Sequence, residues 1–208
     1  MSERPVGDRA LLLEFADNEP VHAAARAARE LAGAQLQEIV PGHRTLLLVW
    51  RGARPEAKAV RSLADQIEGA AVRRDPTPGA AAVRSLTIPV VYDGADLEAV
   101  AHRLGVPAGR VVELHTAPEY TVAFVGFMPG FPYLVGGDRL LELPRLEVPR
   151  TEVPAGTVAV AAGYCGIYPR AAPGGWNLLG STAVELFDPD RDPPALLTPG
   201  MRVRFVAA

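Results

Sequence analysis

Gly126-Phe127-Met128-Pro129-Gly130-Phe131-Pro132-Tyr133-Leu134 opens the stretch, residues 121–182, whose reading decides the fold. Pro149-Arg150-Thr151-Glu152-Val153-Pro154-Ala155-Gly156, Gly166-Ile167-Tyr168-Pro169 and Pro173-Gly174-Gly175-Trp176 continue it. Gly and Pro are poor in helix interiors, so their recurrence every few residues marks turn-rich β structure. A glycine beside an aromatic lets the backbone come close to something while a flat ring walls the space. The four clusters are therefore read as the rim and floor of one site. Phe127, Pro129, Gly130, Phe131, Tyr133, Tyr168, Gly174, Gly175 and Trp176 are its substrate-binding candidates. For Tyr168 and Trp176 the alternative is that they plug the end of a barrel.

Working outward, 12 of the 20 prolines lie between Pro118 and Pro199, and 11 of the 20 glycines between Gly126 and Gly200. That concentration favours a compact barrel with many corners over an open helical layer. Ahead of it, residues 84–92 read as a strand and Asp93-Gly94 as a turn. Asp96 is placed to cap a helix whose buried face is Leu97, Val100, Ala101 and Leu104, with Gly105 as its stop. A second short helix is expected from 107 to 115. Residues 75–82, with two prolines and no periodicity, make the best linker. The expected domains are thus 1–75 and 84–208, the latter with a helix pair at 96–115. In the first, 10–15 reads as a strand and 20–32 as a helix, with 35–40 and 45–50 as a hairpin. A helix opened by Pro55 and stopped by Gly69 follows, then a fourth strand at 70–74. The order β-α-β-β-α-β is that of a ferredoxin-like α+β unit.

Composition narrows the function. A net charge of −3 gives a phosphate-backbone partner no support. The helix pair at 96–115 looks like a helix-turn-helix, but its second helix offers Glu113 beside Arg110 and His115, so packing is the better reading and no nucleic acid is expected. The chain does not open on a charged and then apolar leader, and runs such as 45–50 are too short to span a bilayer. A cytoplasmic location with no membrane contact is expected. The four histidines and single cysteine lack metal-ligand spacing, so no metal is predicted. There is no phosphate-cradling P-loop.

Two residues stand out chemically. His115 has a side chain suited to proton transfer, but a histidine closing a helix also serves the free carbonyls there. Arg150, held between proline-rich steps, presents a guanidinium fit for a carboxylate or phosphate. Its competing role is a structural salt bridge to Glu147 or Glu152. Both are catalytic candidates. Cys165 has no histidine near it in sequence and is not read as a nucleophile.

At these residues the chain resembles the KipI-like family, which includes the B subunit of bacterial 5-oxoprolinase, allophanate hydrolase subunit 1 and the histidine-kinase inhibitor KipI. Ile88-Pro89-Val90-Val91-Tyr92-Asp93-Gly94, Leu114-His115-Thr116-Ala117-Pro118-Glu119-Tyr120 and residues 126–134, 149–156 and 167–176 carry the resemblance, in order, over nearly the whole chain. It implies an N-terminal ferredoxin-like domain and a C-terminal cyclophilin-like β-barrel. It also implies a C-type partner subunit of related fold, the pair resembling the two halves of the carboxyltransferase domain of urea carboxylase, and an A-type, LamB/YcsF-like subunit. The implied activity is ATP-dependent opening of 5-oxoproline to glutamate. ATP would be used by the complex, Arg150 would hold the substrate carboxylate, and His115 would be a proton-transfer or hydrogen-bonding group. Alternatives are a binding module that inhibits a histidine kinase, or subunit 1 of an allophanate- or urea-type amidohydrolase. Tyr164-Cys165 and Ser181 depart from the family pattern, which more often has small or polar residues and a basic residue there.

Overall fold

Leu11 and Leu13 lie opposite Leu48 and Leu46 in register, and period-2 alternation puts all four on one buried face of a sheet. In this computed structural model, which describes residues 1–72 and 84–208, the chain divides into two units, Met1–Ala81 and Ala82–Ala208. The first holds strands β1 (Ser2–Val6), β2 (Ala10–Glu14), β3 (Leu36–Pro41) and β4 (Thr45–Trp50). All pairings are antiparallel, in the order β1-β2-β4-β3. Helix α1 (Glu19–Ala32) buries Val21, Ala24, Ala25 and Ala28, small side chains that let a helix sit close to its neighbours. Helix α2 (Ala57–Val72) buries Val60, Ala64, Ile67 and Ala71 at helical spacing.

Among the described residues the element order is therefore β-β-α-β-β-α, where β-α-β-β-α-β was expected. Residues 70–72, expected to begin a fourth strand, are the last turn of α2; residues 73–74, and the expected linker at 75–82, lie outside the described residues. The apolar stripe of α2 runs on through Ala71, and one glycine, at about 1 kcal/mol relative to Ala, does not outweigh that burial. So Gly69 sits inside the helix. The fourth strand among the described residues is β1, which sequence reading missed. All five of its residues are exposed, so it carries no alternation to detect; it is held by backbone pairing to β2 and by an Arg4–Glu14 ion pair at 2.8 Å.

The second unit is built on seven strands in the order β12-β9-β10-β7-β6-β13-β5. They are β5 (Ser85–Val90), β6 (Tyr120–Val125), β7 (Pro132–Val135), β9 (Thr157–Ala161), β10 (Tyr164–Ile167), β12 (Asn177–Ser181) and β13 (Arg202–Ala207). All are antiparallel except the β5–β13 pair. Val91 and Ser181 exchange both backbone hydrogen bonds at 2.8 Å, joining the two ends of the sheet into a nearly closed barrel. Gly180 allows this: a Cβ there would run into the Val91 carbonyl. Ile88, Val90, Tyr120, Val122, Leu134, Val158, Val160, Ile167, Leu179 and Phe205 fill the inward face. Helices α3 (Leu97–Leu104) and α4 (Ala108–Thr116) add Leu97, Val100, Val111 and Leu114 to the same core. Gly105 ends α3 in the left-handed conformation at φ 67°. A two-stranded ribbon, β8 (Arg150–Val153) with β11 (Ala172–Gly174), stands apart from the barrel sheet.

Strand β9 is buried on both faces. Val158 and Val160 point inward, while Ala159 and Ala161 join Met128, Phe131, Val153, Tyr168, Trp176 and Leu178 in a second core on the opposite face. Small residues form the floor there because rings cover it. Gly166 shows how tightly: a Cβ would stand 2.8 Å from Phe131 and 2.9 Å from Trp176. Gly166→Ala is expected to cost about 1–3 kcal/mol by overpacking. Chemical denaturation checks this, and an unchanged midpoint would show that the two rings give way freely.

Candidate functional site

The break in strand pairing at β12 sets up the site. Register between β12 and β9 shifts between Leu178 and Gly180, and a bulge of this kind leaves ladder groups to find other partners. The turn before α3 supplies them. Gly94 N–H donates to the Leu179 carbonyl at 3.1 Å and Asp96 N–H to the Leu178 carbonyl at 3.0 Å. The Leu178 N–H donates to Asp96 Oδ2 at 2.7 Å. Asp96 therefore does not cap α3 with its side chain, as its position suggested. Its carboxylate, 12% exposed, is committed to the barrel wall and, through Oδ1, to Arg150 Nη2 at 2.6 Å.

Arg150 is the first residue of β8, paired in register with Gly174 of β11. The guanidinium is thus held in an ion pair, as one of its two readings required, but to Asp96 rather than Glu147 or Glu152. Its other terminal nitrogen is left over. Nη1 is buried and has no protein acceptor. A buried cationic donor without an acceptor carries a desolvation penalty that an incoming anion would remove. The Arg150 side chain as a whole is 30% exposed, and Nη1 is its buried atom.

Tyr168 lies beside this group. Gly174 comes so close to its hydroxyl that a Cβ would collide with it. Burial pushes the Tyr168 hydroxyl above its usual range and Tyr133 adds to that; Arg145 and Arg150 pull the other way. Arg145, which sequence reading passed over, is thus a second cation in the neighbourhood. Only its type could have flagged it, since it lies on an irregular loop outside the four glycine-aromatic clusters.

Most of the predicted aromatic residues meet. Phe131 contacts Phe127, Tyr133, Tyr168 and Trp176, with ring centroids 5.1–5.5 Å apart. But Phe131 and Tyr168 are 1% exposed and Trp176 is 5% exposed. They are a packed layer under the site rather than its open walls, and Trp176 does not plug the barrel. Gly175 lies against Leu146 and Pro149, and Gly130, at φ 79°, against Phe187. Phe127 is exposed at the β6–β7 turn, in the left-handed region at φ 68°, and Pro129 is exposed two residues on. Tyr133 and Tyr164 are half-buried at the layer's edge, 5.4 Å apart.

His115 is elsewhere. It lies on the inward face of the barrel, fully buried, in ring contact with Tyr120 and Phe205. Nδ1 is 2.6 Å from the Tyr92 hydroxyl and Nε2 is 3.2 Å from Cys165 Sγ. Burial lowers its pKa to about 3, and burial raises the Cys165 thiol far above its normal range. His115 does close α4, but its ring nitrogens meet Tyr92 and Cys165 rather than the helix-end carbonyls; with no solvent access, both nitrogens occupied and the neutral form favoured, it is placed as a core hydrogen-bonding residue rather than a proton-transfer group. Cys165 does have a histidine beside it, 50 residues away in sequence, but both are closed off. Ser181, the other departure from the family pattern, donates to Asp93 at 3.0 Å next to the barrel seam. Among the described residues no group of three or more His, Cys, Asp or Glu could hold a metal ion, and no helix is long and apolar enough to cross a membrane.

Known proteins can be set beside this geometry. The family model "Carboxyltransferase domain, subdomain C and D" matches residues 1–197. The B subunit of 5-oxoprolinase from Bacillus subtilis (strain 168) is 34% identical, over 97% of this chain and 90% of that protein. The corresponding 5-oxoprolinase chain of Escherichia coli O157:H7 is 49% identical over 126 residues, and the match spans 59% of this chain and 58% of that one. The crystal structure of TTHA0988 superposes with a TM-score of 0.80 at 40% identity, over 96% of this chain and 40% of that one.

Proposed function

This chain belongs to the family of the carboxyltransferase domain, subdomain C and D, and from that premise we propose that it is the B-type component of an ATP-dependent 5-oxoprolinase, acting with a C-type partner and an A-type, LamB/YcsF-like subunit. The relatives that bear the name of the 5-oxoprolinase B component support the activity. The observation within the site that carries the reading is Arg150 Nη1, a buried cationic donor without a protein acceptor. 5-Oxoproline has one carboxylate, and a charge-assisted hydrogen bond to Nη1 would anchor it while Asp96 holds the other arm of the guanidinium. Tyr168, part of the packed layer with Phe131 and Trp176, lies near the guanidinium. This chain's share is binding and orientation. ATP and the ring-opening step belong to the complex.

A partner also suits the surface. Phe127, 63% exposed, touches Phe131, which in turn touches the half-buried Tyr133. Val148, two residues before Arg150, is 80% exposed. Exposed apolar side chains of this size become an interface where they form a contiguous patch. Kinase inhibition gives Arg150's free donor no task, and the curated relatives above are named for 5-oxoprolinase rather than for allophanate hydrolase. The test is co-expression with the C-type and A-type subunits. One complex is expected on size exclusion, hydrolysing ATP in response to 5-oxoproline. ATP hydrolysis that ignores 5-oxoproline, or that runs equally well without this chain, would end the reading.

A further inference from the structure

We infer that Asp96 is a positioning residue for substrate recognition, orienting Arg150 so that Nη1 faces the carboxylate; the inference rests on the reading of Arg150 just given.

The bulge in β12 fixes Asp96 in place before Arg150 is considered. Its main-chain N–H donates to the Leu178 carbonyl at 3.0 Å, and its Oδ2 accepts from the Leu178 N–H at 2.7 Å. Its main-chain carbonyl accepts from Val100 N–H in the first turn of α3 at 2.8 Å. Main chain and carboxylate together clamp one residue of the barrel wall, so Oδ1 has little freedom. Arg150 comes from a separate two-stranded ribbon and meets that oxygen with Nη2 at 2.6 Å.

Geometry does the rest. A guanidinium is planar, so fixing one terminal nitrogen along a short charge-assisted bond restricts the plane and aims the other. The aimed atom is the one without an acceptor. A salt bridge made only for stability would be expected to spend both nitrogens on the carboxylate. Here Oδ2 is withheld for the Leu178 N–H, and the guanidinium is engaged by one arm. Asp96 touches no substrate in this arrangement; it acts through Arg150.

The test is a double-mutant cycle on the assembled complex with Asp96→Asn and Arg150→Lys, reading kcat and KM for 5-oxoproline separately. Asp96→Asn is expected to raise KM by about 5- to 10-fold with kcat within about twofold, the signature of lost substrate binding. The double variant should bind no worse than Arg150→Lys alone, because contacting residues in one network are not additive. A KM unchanged by Asp96→Asn, or a double variant whose loss is the product of the two single losses, overturns the inference while leaving Arg150's own role standing. A KM unchanged by Arg150→Lys removes the premise and the inference together. Should Asp96→Asn not fold, Asp96→Glu takes its place in the cycle with the same readings expected; failure of both to fold assigns Asp96 to stability and overturns the inference.

Discussion

Lowering the pH from about 6.5 toward 4 is expected to destabilise the native chain by up to about 1.4 kcal/mol per pH unit through His115 alone. The side chain is buried and neutral in the fold, with its pKa lowered to about 3; released by unfolding it returns to about 6.5. Between those values the unfolded state binds a proton that the native state refuses, so stability rises with pH across the window and falls as the medium is acidified. Above about 6.5 both states are neutral at this residue and its contribution to the slope vanishes. Tyr92, Cys165, Tyr120 and Phe205 surround the ring, and none offers a negative charge in that range to pair with an imidazolium. Two pH units amount to about 3 kcal/mol, a large part of a typical stability of about 5–15 kcal/mol. Denaturant unfolding at pH values from about 7 down to about 4.5 should show the slope, and His115→Gln, which does not titrate, should flatten it by about one proton. The native imidazole should show no NMR titration down to about pH 5. A native midpoint near the ordinary value of about 6.5 would mean that the ring is reached by solvent, and would reopen its candidacy for proton transfer.

The same residue shows what a sequence does and does not disclose. His115 was legible as the end of a helix, since Val111 and Leu114 keep helical spacing, and α4 does end beside it. Its partners were not legible. Tyr92 and Cys165 stand 23 and 50 residues away, and only closure of the barrel brings the segment after β5, α4 and β10 to one point. The barrel itself could be foreseen because turn chemistry is local: glycine and proline write the corners into the chain. Strand β1 could not, because an exposed edge strand is specified by a neighbour's free backbone groups and not by its own side chains. Asp96 was misread for a related reason. Its place before an apolar helix fits a capping residue, yet a bulge in β12 offered its carboxylate a better-buried donor. The aromatic-glycine clusters were rightly grouped but ambiguous, since close approach of backbone to ring serves a packed layer as well as a pocket. The burial of Phe131, Tyr168 and Trp176 resolves that ambiguity toward packing.

Arg150→Lys is expected to weaken use of 5-oxoproline by the assembled complex by roughly 10- to 100-fold in kcat/KM, about 1.4–2.7 kcal/mol. The reason is geometric. Arg150 gives Nη2 to Asp96 and leaves Nη1 buried without a protein acceptor. Lysine brings one ammonium on a flexible stem, a point charge that serves Asp96 or a substrate carboxylate but lacks the fork that faces both. Asp96 is the closer and permanent partner, so the ammonium should remain there and the substrate should lose its anchor. Stability is expected to change little, because the carboxylate of Asp96 keeps a cation beside it. Arg150→Ala differs in kind. It removes the cation and leaves the mostly buried Asp96 charge without it, so it should lower the melting temperature as well as substrate use. The pair of variants separates the two jobs of one side chain. A Lys variant with normal KM and a lowered melting point would show that the guanidinium serves the fold alone, and that the free Nη1 donor is not where the substrate binds.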